Sequence, residues 1–215
     1  MRGGDPGRPR RLVIATRSLH KLRELRELLD LEHAELVTLD DLGVAGDPIE
    51  DGSTFEANAR IKARHGVTAT GLPSLADDSG IEVDALGGGP GVRTRRYAGE
   101  DATDADNNTK LLAELGDLPA EARGARYVCV LALALPGVGE AERPRIVTAR
   151  GTCRGRIARA PKGMEGFGYD PIFEPLGEPV GGRTFGQWSA TEKNAISHRA
   201  RASRRMARRL IALGF

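Results

Sequence analysis

The stretch Arg126–Leu135, RYVCVLALAL, decides the fold of this chain because it is predicted to form a long, almost fully apolar strand. Nearly every residue in it is apolar, which is typical of a strand covered on both faces. A strand of that kind lies in the middle of a sheet. A second predicted strand, Arg145–Arg156, follows it after a polar loop.

The sequence before this strand alternates between strand and helix patterns. Leu12–Ala15 is predicted as a short buried strand, and from Leu19 apolar residues recur every three and four positions, as in an amphipathic helix. Glu35–Leu39 is predicted as another strand. Alternation that gives way to a strand-rich middle predicts an α/β fold with a mixed sheet.

Further elements are predicted from capping and turn residues. The capping box Ser53–Glu56 predicts a helix that ends near Arg64, before Gly66. Pro73–Asp78 is predicted as a strand that ends in carboxylates, and the alternating Ile81–Asp84 as a separate one.

Two more helices are predicted later in the chain. Thr103 is expected to cap a helix that runs through Leu115. A second capping box, Ser189–Glu192, predicts one C-terminal helix, with its inward face formed by Ile196, Met206, Leu210 and Leu213.

The composition is that of a globular protein. The 215 residues carry a formal net charge of only +2, and residues 11–215 are expected to form a single domain. Residues 1–10, rich in Gly, Pro and Arg, are expected to be a disordered extension. The chain has two cysteines without metal-binding spacing, no complete signal peptide and no apolar run that could span a membrane. These features predict a cytoplasmic location.

The C-terminal segment is strongly basic, with six arginines and no acidic residue between His198 and Phe215. One hypothesis is that this helix binds RNA, which would make the protein a non-catalytic binding protein. The alternative is a solvated helix face, and we favour it because RNA binding would explain none of the motifs described next.

The first motif, Thr16–Lys21 (TRSLHK), joins a strand to a helix start. Backbone N–H groups at a helix N-terminus favour an anion, and a lysine adds a positive charge. The turn lacks the glycines of a P-loop. It is either a phosphate site or an ordinary capped turn.

The second motif is the carboxylate pair Asp77–Asp78, followed by Ser79 and Gly80. Two adjacent carboxylates repel each other unless a cation neutralises them, and their oxygens are the ligands that Mg²⁺ prefers. In an extended strand the two side chains point to opposite faces. We interpret the pair as a metal site rather than as a polar turn.

Two motifs combine ring systems or cations with flexible backbone. In Glu165–Pro171 (EGFGYDP), glycines flank an aromatic ring that can stack on a base, and Asp170 can accept from base N–H groups. In Glu192–Arg199 (EKNAISHR), Lys193 and a His-Arg pair supply hydrogen-bond donors near a helix start. A glycine-rich turn and a solvated helix start are the simpler alternatives.

Taken together and in this order, the motifs resemble the family of noncanonical purine nucleoside triphosphate pyrophosphatases, also called inosine triphosphatases. The matching stretches cover nearly the whole chain after residue 10. They are LVIATRSLHKLRELRELL, DGSTFEANARIKARH, LADDSGIEVDALGGGPGVRTRRYAGEDATD, GFGYDPIF and EKNAISHRARA. The third and the last stretch are highly specific.

The resemblance implies an elongated mixed sheet flanked by helices, with two lobes and a cleft between them. It implies a Mg²⁺-dependent homodimeric enzyme that cuts ITP, dITP and XTP to the monophosphate and pyrophosphate. We expect neither membrane nor nucleic acid among its partners. Asp78 would be the general base, and the metal would be held by Glu50, Asp77 and Asp78. The substrate contacts would be Thr16, Arg17, Ser18, Leu19, His20, Lys21, Lys62, Ser79, Phe167, Gly168, Tyr169, Asp170, Lys193, His198 and Arg199.

Two positions depart from the family pattern. Ser18 stands where the family has Asn, and Gly186-Gln187-Trp188 stands where it has Ala-Glu-Leu. Neither departure involves Asp78, the residue expected to be the general base. A related possibility is a pyrophosphatase that removes modified pyrimidine triphosphates, which a panel of substrates would separate from the purine enzyme.

Overall fold

The computed structural model describes residues 9–137 and 143–215, and all statements about structure refer to these residues. The predicted N-terminal extension lies outside them except for Pro9 and Arg10. The strands are β1 (Arg10–Ile14), β2 (Ala34–Thr38), β3 (Ser74–Val83), β4 (Gly124–Leu135), β5 (Arg145–Ile157) and β6 (Phe173–Pro175). The helices are α1 (Leu19–Leu29), α2 (Phe55–Thr70), α3 (Asp104–Leu115), α4 (Ala190–Ile196) and α5 (His198–Ala212).

The strands form one sheet in the order β2-β1-β3-β4-β5-β6. The pairs β1–β2 and β1–β3 are parallel, and the pairs from β3 through β6 are antiparallel. The predicted α/β fold with a mixed sheet is therefore confirmed. As expected from its apolar sequence, β4 lies inside the sheet between β3 and β5.

Alternate residues of β4 build the hydrophobic cores on the two faces of the sheet. Cys129 and Leu131 pack on one face with residues of α1 and α5. Val128 and Val130 pack on the other face with residues of α2. Helices α1 and α5, which begin at the first and fourth motifs, and helix α2, which carries Lys62, are thus packed against the same strand.

A third core defines the second lobe, at the other end of the long strands. It joins Ile81 of β3 and Leu111 of α3 to the aromatic residues Tyr127, Phe173 and Phe185. The segment that carries Phe167 belongs to this lobe, and the cleft described below lies between it and the first lobe.

The prediction of two strands around the carboxylate pair is wrong, because β3 is continuous from Ser74 to Val83. Gly80, which sequence patterns treat as a break, lies inside the strand. A Cβ there would lie 2.8 Å from the Gly91 carbonyl oxygen and 2.9 Å from the Phe55 ring, so only glycine fits without displacing its neighbours. Asp77 and Asp78 are consequently in the middle of a strand and not at its end.

The bounds of two predicted helices also differ. Helix α2 is capped by Thr54 and continues to Thr70, through Gly66. A Cβ on Gly66 would lie 2.1 Å from the Ser74 hydroxyl, so this glycine serves close helix–strand packing and does not end the helix. The C-terminal helix is two helices that meet at Ser197, which ends α4 and caps α5.

The other helix starts are as predicted. Thr103 forms a capping box with Asp106, and Ser189 forms one with Glu192. No helix in the described ranges is long and apolar enough to cross a membrane.

Candidate active site

The site lies where β1 ends and β3 continues. β1 pairs with β3 only through Ser74 and Leu75. From Ala76 onward β3 extends beyond the end of β1 and no longer pairs with it. A cleft of about 700 Å³ opens at this place. Its walls are the β1–α1 turn, one face of α2, the Phe167 segment and the start of α5.

The cleft brings together almost all the residues predicted for the site from four separate motifs. Those that line it are Thr16, Arg17, Ser18, Leu19, His20, Lys21, Glu50, Lys62, Asp78, Ser79, Phe167, Gly168, Tyr169, Asp170, Lys193, His198 and Arg199. Asp77 is the exception, because its side chain is completely buried behind this wall.

Asp78 projects to the α2 side of the sheet. Its carboxylate accepts a hydrogen bond from the Lys62 ammonium at 2.8 Å, and the same ammonium lies 2.8 Å from the Glu50 carboxylate. Asn58, one turn before Lys62, accepts from the Gly52 N–H and so holds the loop that carries Glu50. Helix α2 therefore positions both carboxylates.

Asp77 projects to the opposite side, where α1 and α5 meet. Its oxygens lie 2.5 Å from the Lys21 ammonium and 3.2 Å from Nε of Arg199. The Ser79 hydroxyl donates to the same carboxylate at 3.2 Å, and the Cys129 thiol does so at 3.1 Å.

These surroundings shift the two pKa values in opposite directions. Burial alone would raise the pKa of Asp77, but Arg199 and Lys21 outweigh it and hold that pKa well below its ordinary value. Burial raises the pKa of Asp78, and Lys62 offsets only part of the effect. Neighbouring acids with separated pKa values are typical of active sites, where one carboxylate takes a proton and the other stays charged.

The β1–α1 turn forms one end of the cleft. Ser18 caps α1 by accepting from the Lys21 N–H at 3.5 Å, and Thr16 accepts from the Ser18 N–H at 3.2 Å. Arg17 does not extend across the cleft: its guanidinium binds Asp47 at 2.8 Å and the carbonyl of Gly46 at 2.8 Å. This arginine fixes the loop that follows β2.

The segment Glu165–Pro171, called the Phe167 segment, forms an adjoining wall of the cleft and is anchored through its backbone. Asp104 accepts from the Gly168 N–H at 2.6 Å, and Asn108 donates to the Gly168 carbonyl at 3.0 Å. The Phe167 N–H donates to Asp170 at 2.9 Å. The Tyr169 hydroxyl donates to the carbonyl of Thr94 at 2.8 Å.

Asp170 is buried, and its hydrogen bonds go to the protein. Besides Phe167, it accepts from the Lys193 ammonium at 2.7 Å and from the Tyr127 hydroxyl at 3.2 Å. Burial raises the pKa of Asp170, and the Lys193 ammonium opposes that rise. In this arrangement Asp170 orients Lys193 and the Phe167 segment.

Glu24 of α1 connects two cations of the site, and it was not among the residues predicted from the sequence. Its carboxylate accepts from Lys193 at 3.0 Å and from the fully buried Arg199. Burial would raise the pKa of Glu24, but these two cations outweigh it and lower the pKa. The available signal was that Glu24 lies one helical turn after Lys21.

His198 and His65 are buried to different degrees. His198 stacks on Tyr127 with ring centroids 4.6 Å apart, and burial lowers its pKa well below the ordinary value, so the imidazole is neutral. His65 lines the cleft one turn beyond Lys62, and its Nε2 is buried without a hydrogen-bond partner. His65 was not among the predicted residues.

The side chains of the cleft supply only some of the oxygen ligands that a hard cation such as Mg²⁺ needs. Glu50 and Asp78 supply two carboxylates that converge on one point, which the Lys62 ammonium approaches in this structure. Asp77 is saturated by Lys21 and Arg199. Among the described residues no three His, Cys, Asp or Glu side chains converge as a metal-binding group. Glu50 and Asp78 thus fit Mg²⁺ with further ligands from substrate and water, as this ion prefers.

Fold and site together are those of an α/β protein with a cleft lined by lysines, arginines and the carboxylates of Glu50 and Asp78. Residues 12–209 match the model of the Ham1 family, and the chain belongs to this family. A relative from Nocardia farcinica, named dITP/XTP pyrophosphatase, is 47% identical over 206 residues and covers 94% of this chain and 96% of its own. A dITP/XTP pyrophosphatase from Lactobacillus acidophilus is 46% identical, with coverage of 94% and 98%.

Solved structures agree with this assignment. A HAM1 protein from Coxiella burnetii is 42% identical and superimposes with a TM-score of 0.80, covering 94% of this chain and 99% of its own. The Ham1 protein of Staphylococcus aureus is 34% identical and has a TM-score of 0.82, with the same coverage. The family resemblance identified from the sequence motifs is thereby confirmed.

Proposed function

We propose that this protein hydrolyses noncanonical purine nucleoside triphosphates, namely ITP, dITP and XTP, to the monophosphate and pyrophosphate. The observation that carries the proposal is Asp78, a carboxylate with a raised pKa that lines a cleft with phosphate-binding features at one end. The names of the relatives, dITP/XTP pyrophosphatase, support the substrate class.

The triphosphate would bind at the β1–α1 turn. The first turn of α1 lines the cleft, a helix N-terminus favours an anion, and Lys21 adds a positive charge beside Asp77. Ser18 offers a hydroxyl in place of the amide found in the family. Lys62, at the other side of Asp78, supplies a second ammonium.

Asp78 would act as the general base. A water molecule attacks the α-phosphorus, its proton passes to the Asp78 carboxylate, and the bond from that phosphorus to the bridging oxygen breaks to release pyrophosphate. Little covalent chemistry is required of the protein, so positioning and charge neutralisation supply most of the rate. Asp77 keeps Lys21 in place and stays ionised because its pKa is low.

Mg²⁺ would be held by Glu50 and Asp78, and when bound it neutralises charge on the phosphate oxygens. Asp77 was expected to be a metal ligand, but its carboxylate is buried and paired with Lys21 and Arg199. We therefore propose that Asp77 positions these two cations instead of binding Mg²⁺. Mg²⁺ in the site would compete with Lys62 for the two carboxylates.

The base would lie at the Phe167 end, where an aromatic ring, backbone groups and the Lys193 ammonium are close together. Inosine and xanthine carry an oxygen at the 6-position, where adenine has an amino group. A donor that faces O6 would meet a second donor in adenine, and such mispairing can lower kcat/KM by several orders of magnitude.

We also infer a homodimer that works in the cytoplasm on a free nucleotide and not on nucleic acid. Two-fold dimers are the commonest closed assemblies. Light scattering checks this directly, because a particle near 23.0 kDa would be a monomer.

A substrate panel tests the proposed function. We expect ITP, dITP and XTP to be cut with a higher kcat/KM than ATP, GTP or modified pyrimidine triphosphates, with pyrophosphate as the product. Preference for a modified pyrimidine would identify the related pyrophosphatase instead. Release of orthophosphate as the first product would contradict the proposal.

A further inference from the structure

Two rings from distant parts of the chain meet across the mouth of the cleft. The imidazole of His20, in the first turn of α1, stacks on the ring of Phe167, with centroids 5.2 Å apart and an angle of 20° between the planes. Both side chains line the cleft. His20 has no charged hydrogen-bond partner that would account for this position among the residues the structure describes.

The two rings are held very differently. Phe167 is fixed through its own N–H, which donates to Asp170, and through Gly168, which α3 binds on both sides. His20 is exposed and attached to the surface of a helix, where only its side-chain torsions set the position of the ring. The His20 ring is therefore less constrained than the Phe167 ring, which is half-buried and has the Lys193 ammonium 4.7 Å from its centroid.

We propose that His20 and Phe167 are the two walls of an aromatic clamp that receives the purine base between them. The proposal rests on the proposed function and adds a base-binding residue to it. A base inserted between the rings gains a stacking contact on each face, since every purine has a flat π-surface. In the structure the two rings already face each other at an angle of 20°, as the walls of such a clamp would.

The position of His20 also allows a different role. It belongs to the turn that binds the triphosphate, so its ring nitrogens could contact a phosphate. The two roles differ in what they recognise, because a stacking residue acts only on ligands that contain a base. Inorganic tripolyphosphate has the same phosphates and no base, and it separates them.

The test compares His20→Ala with His20→Phe, and uses His33→Ala as the control. His33 is also an exposed histidine, but it does not line the cleft. For each variant, KM for ITP, the inhibition constant of tripolyphosphate and the affinity for IMP by calorimetry are measured. Calorimetry needs no turnover, so failure of the clamp is distinguishable from failure of the proposed hydrolysis.

We expect His20→Ala to raise KM for ITP and to weaken IMP roughly tenfold or more, the usual scale for loss of one base–aromatic stack. The tripolyphosphate constant should stay within about twofold of wild type, since stacking carries no phosphate contact. His20→Phe should restore both nucleotide values, and His33→Ala should change nothing. An equal loss for tripolyphosphate, no rescue by Phe, or an unchanged affinity for IMP in His20→Ala would overturn the clamp.

Discussion

Asp77 and Asp78 are consecutive in β3, yet their carboxylates bind different cations on opposite faces of the sheet. Asp77 lies 2.5 Å from Lys21, and Asp78 lies 2.8 Å from Lys62. The alternation of a β-strand produces this division. It places one carboxylate among cations that hold its pKa low and gives its neighbour a raised pKa, which suits the roles proposed for the two acids.

Asp78→Asn should lower kcat by at least about a hundredfold, because a general base contributes roughly two to four powers of ten. Stability should be unchanged or higher: a carboxyl with a pKa raised by folding destabilises the folded state once it ionises, and Asn removes that charge. Steady-state kinetics and urea unfolding measure the two effects. Asp84→Asn, at an exposed turn just after β3, is the matched control and should be near normal.

Asp77→Asn should have the opposite effect on stability. It leaves Lys21 and the buried Arg199 without their shared carboxylate, and breaking a buried ion pair typically costs about 3–5 kcal/mol. The pKa of Asp77 is lowered by folding, so its contribution is complete above the unfolded value of about 3.9 and is lost as the pH falls further. Urea unfolding should show that Asp77→Asn is less stable than the wild type at neutral pH. The difference in unfolding free energy should become smaller at acidic pH. Equal stability of the two proteins at neutral pH would contradict the assigned role.

Lys62→Met should shift the acid limb of the kcat/KM profile to higher pH. Activity requires ionised Asp78 and falls as the pH drops through its pKa. Lys62 opposes the effect of burial, so its removal raises that pKa further. The control is Arg60→Met, two residues before Lys62 on the same helix, because Arg60 pairs with Glu56; it should leave the limb in place. An unmoved limb in Lys62→Met would mean that another group titrates.

Glu50→Gln should raise the Mg²⁺ concentration needed for half-maximal activity, because it removes one of the two carboxylates that converge beside Lys62. EDTA should abolish turnover in the wild type. A Mg²⁺ titration followed by pyrophosphate release measures both. Full activity in EDTA, or the same Mg²⁺ dependence in Glu50→Gln and wild type, would remove the metal from the account.

Much of the fold could be predicted because apolar patterning and capping residues act locally. The central position of β4 and the caps Thr103 and Ser189 are examples. The errors fall where tertiary packing overrides a local rule. Gly66 and Gly80 look like breaks, but each provides room for a neighbouring element and lies inside a continuous helix or strand.

The site could be predicted in its composition but not in its internal pairing. Glu24 is 169 positions from Lys193 and 175 from Arg199, so no spacing rule connects them. In the same way, no spacing rule predicts that the Arg17 guanidinium donates its hydrogen bonds to the loop after β2. Motifs identify which residues converge, whereas the hydrogen bonds that saturate some of them depend on the packed structure.

The most direct test of the central claim is hydrolysis of ITP in water enriched in oxygen-18, with mass spectrometry of both products. Attack on the α-phosphorus, with Asp78 as the base, places the heavy oxygen in IMP and leaves pyrophosphate unlabelled. Label in pyrophosphate, or release of labelled orthophosphate, would show attack at another phosphorus and contradict the account.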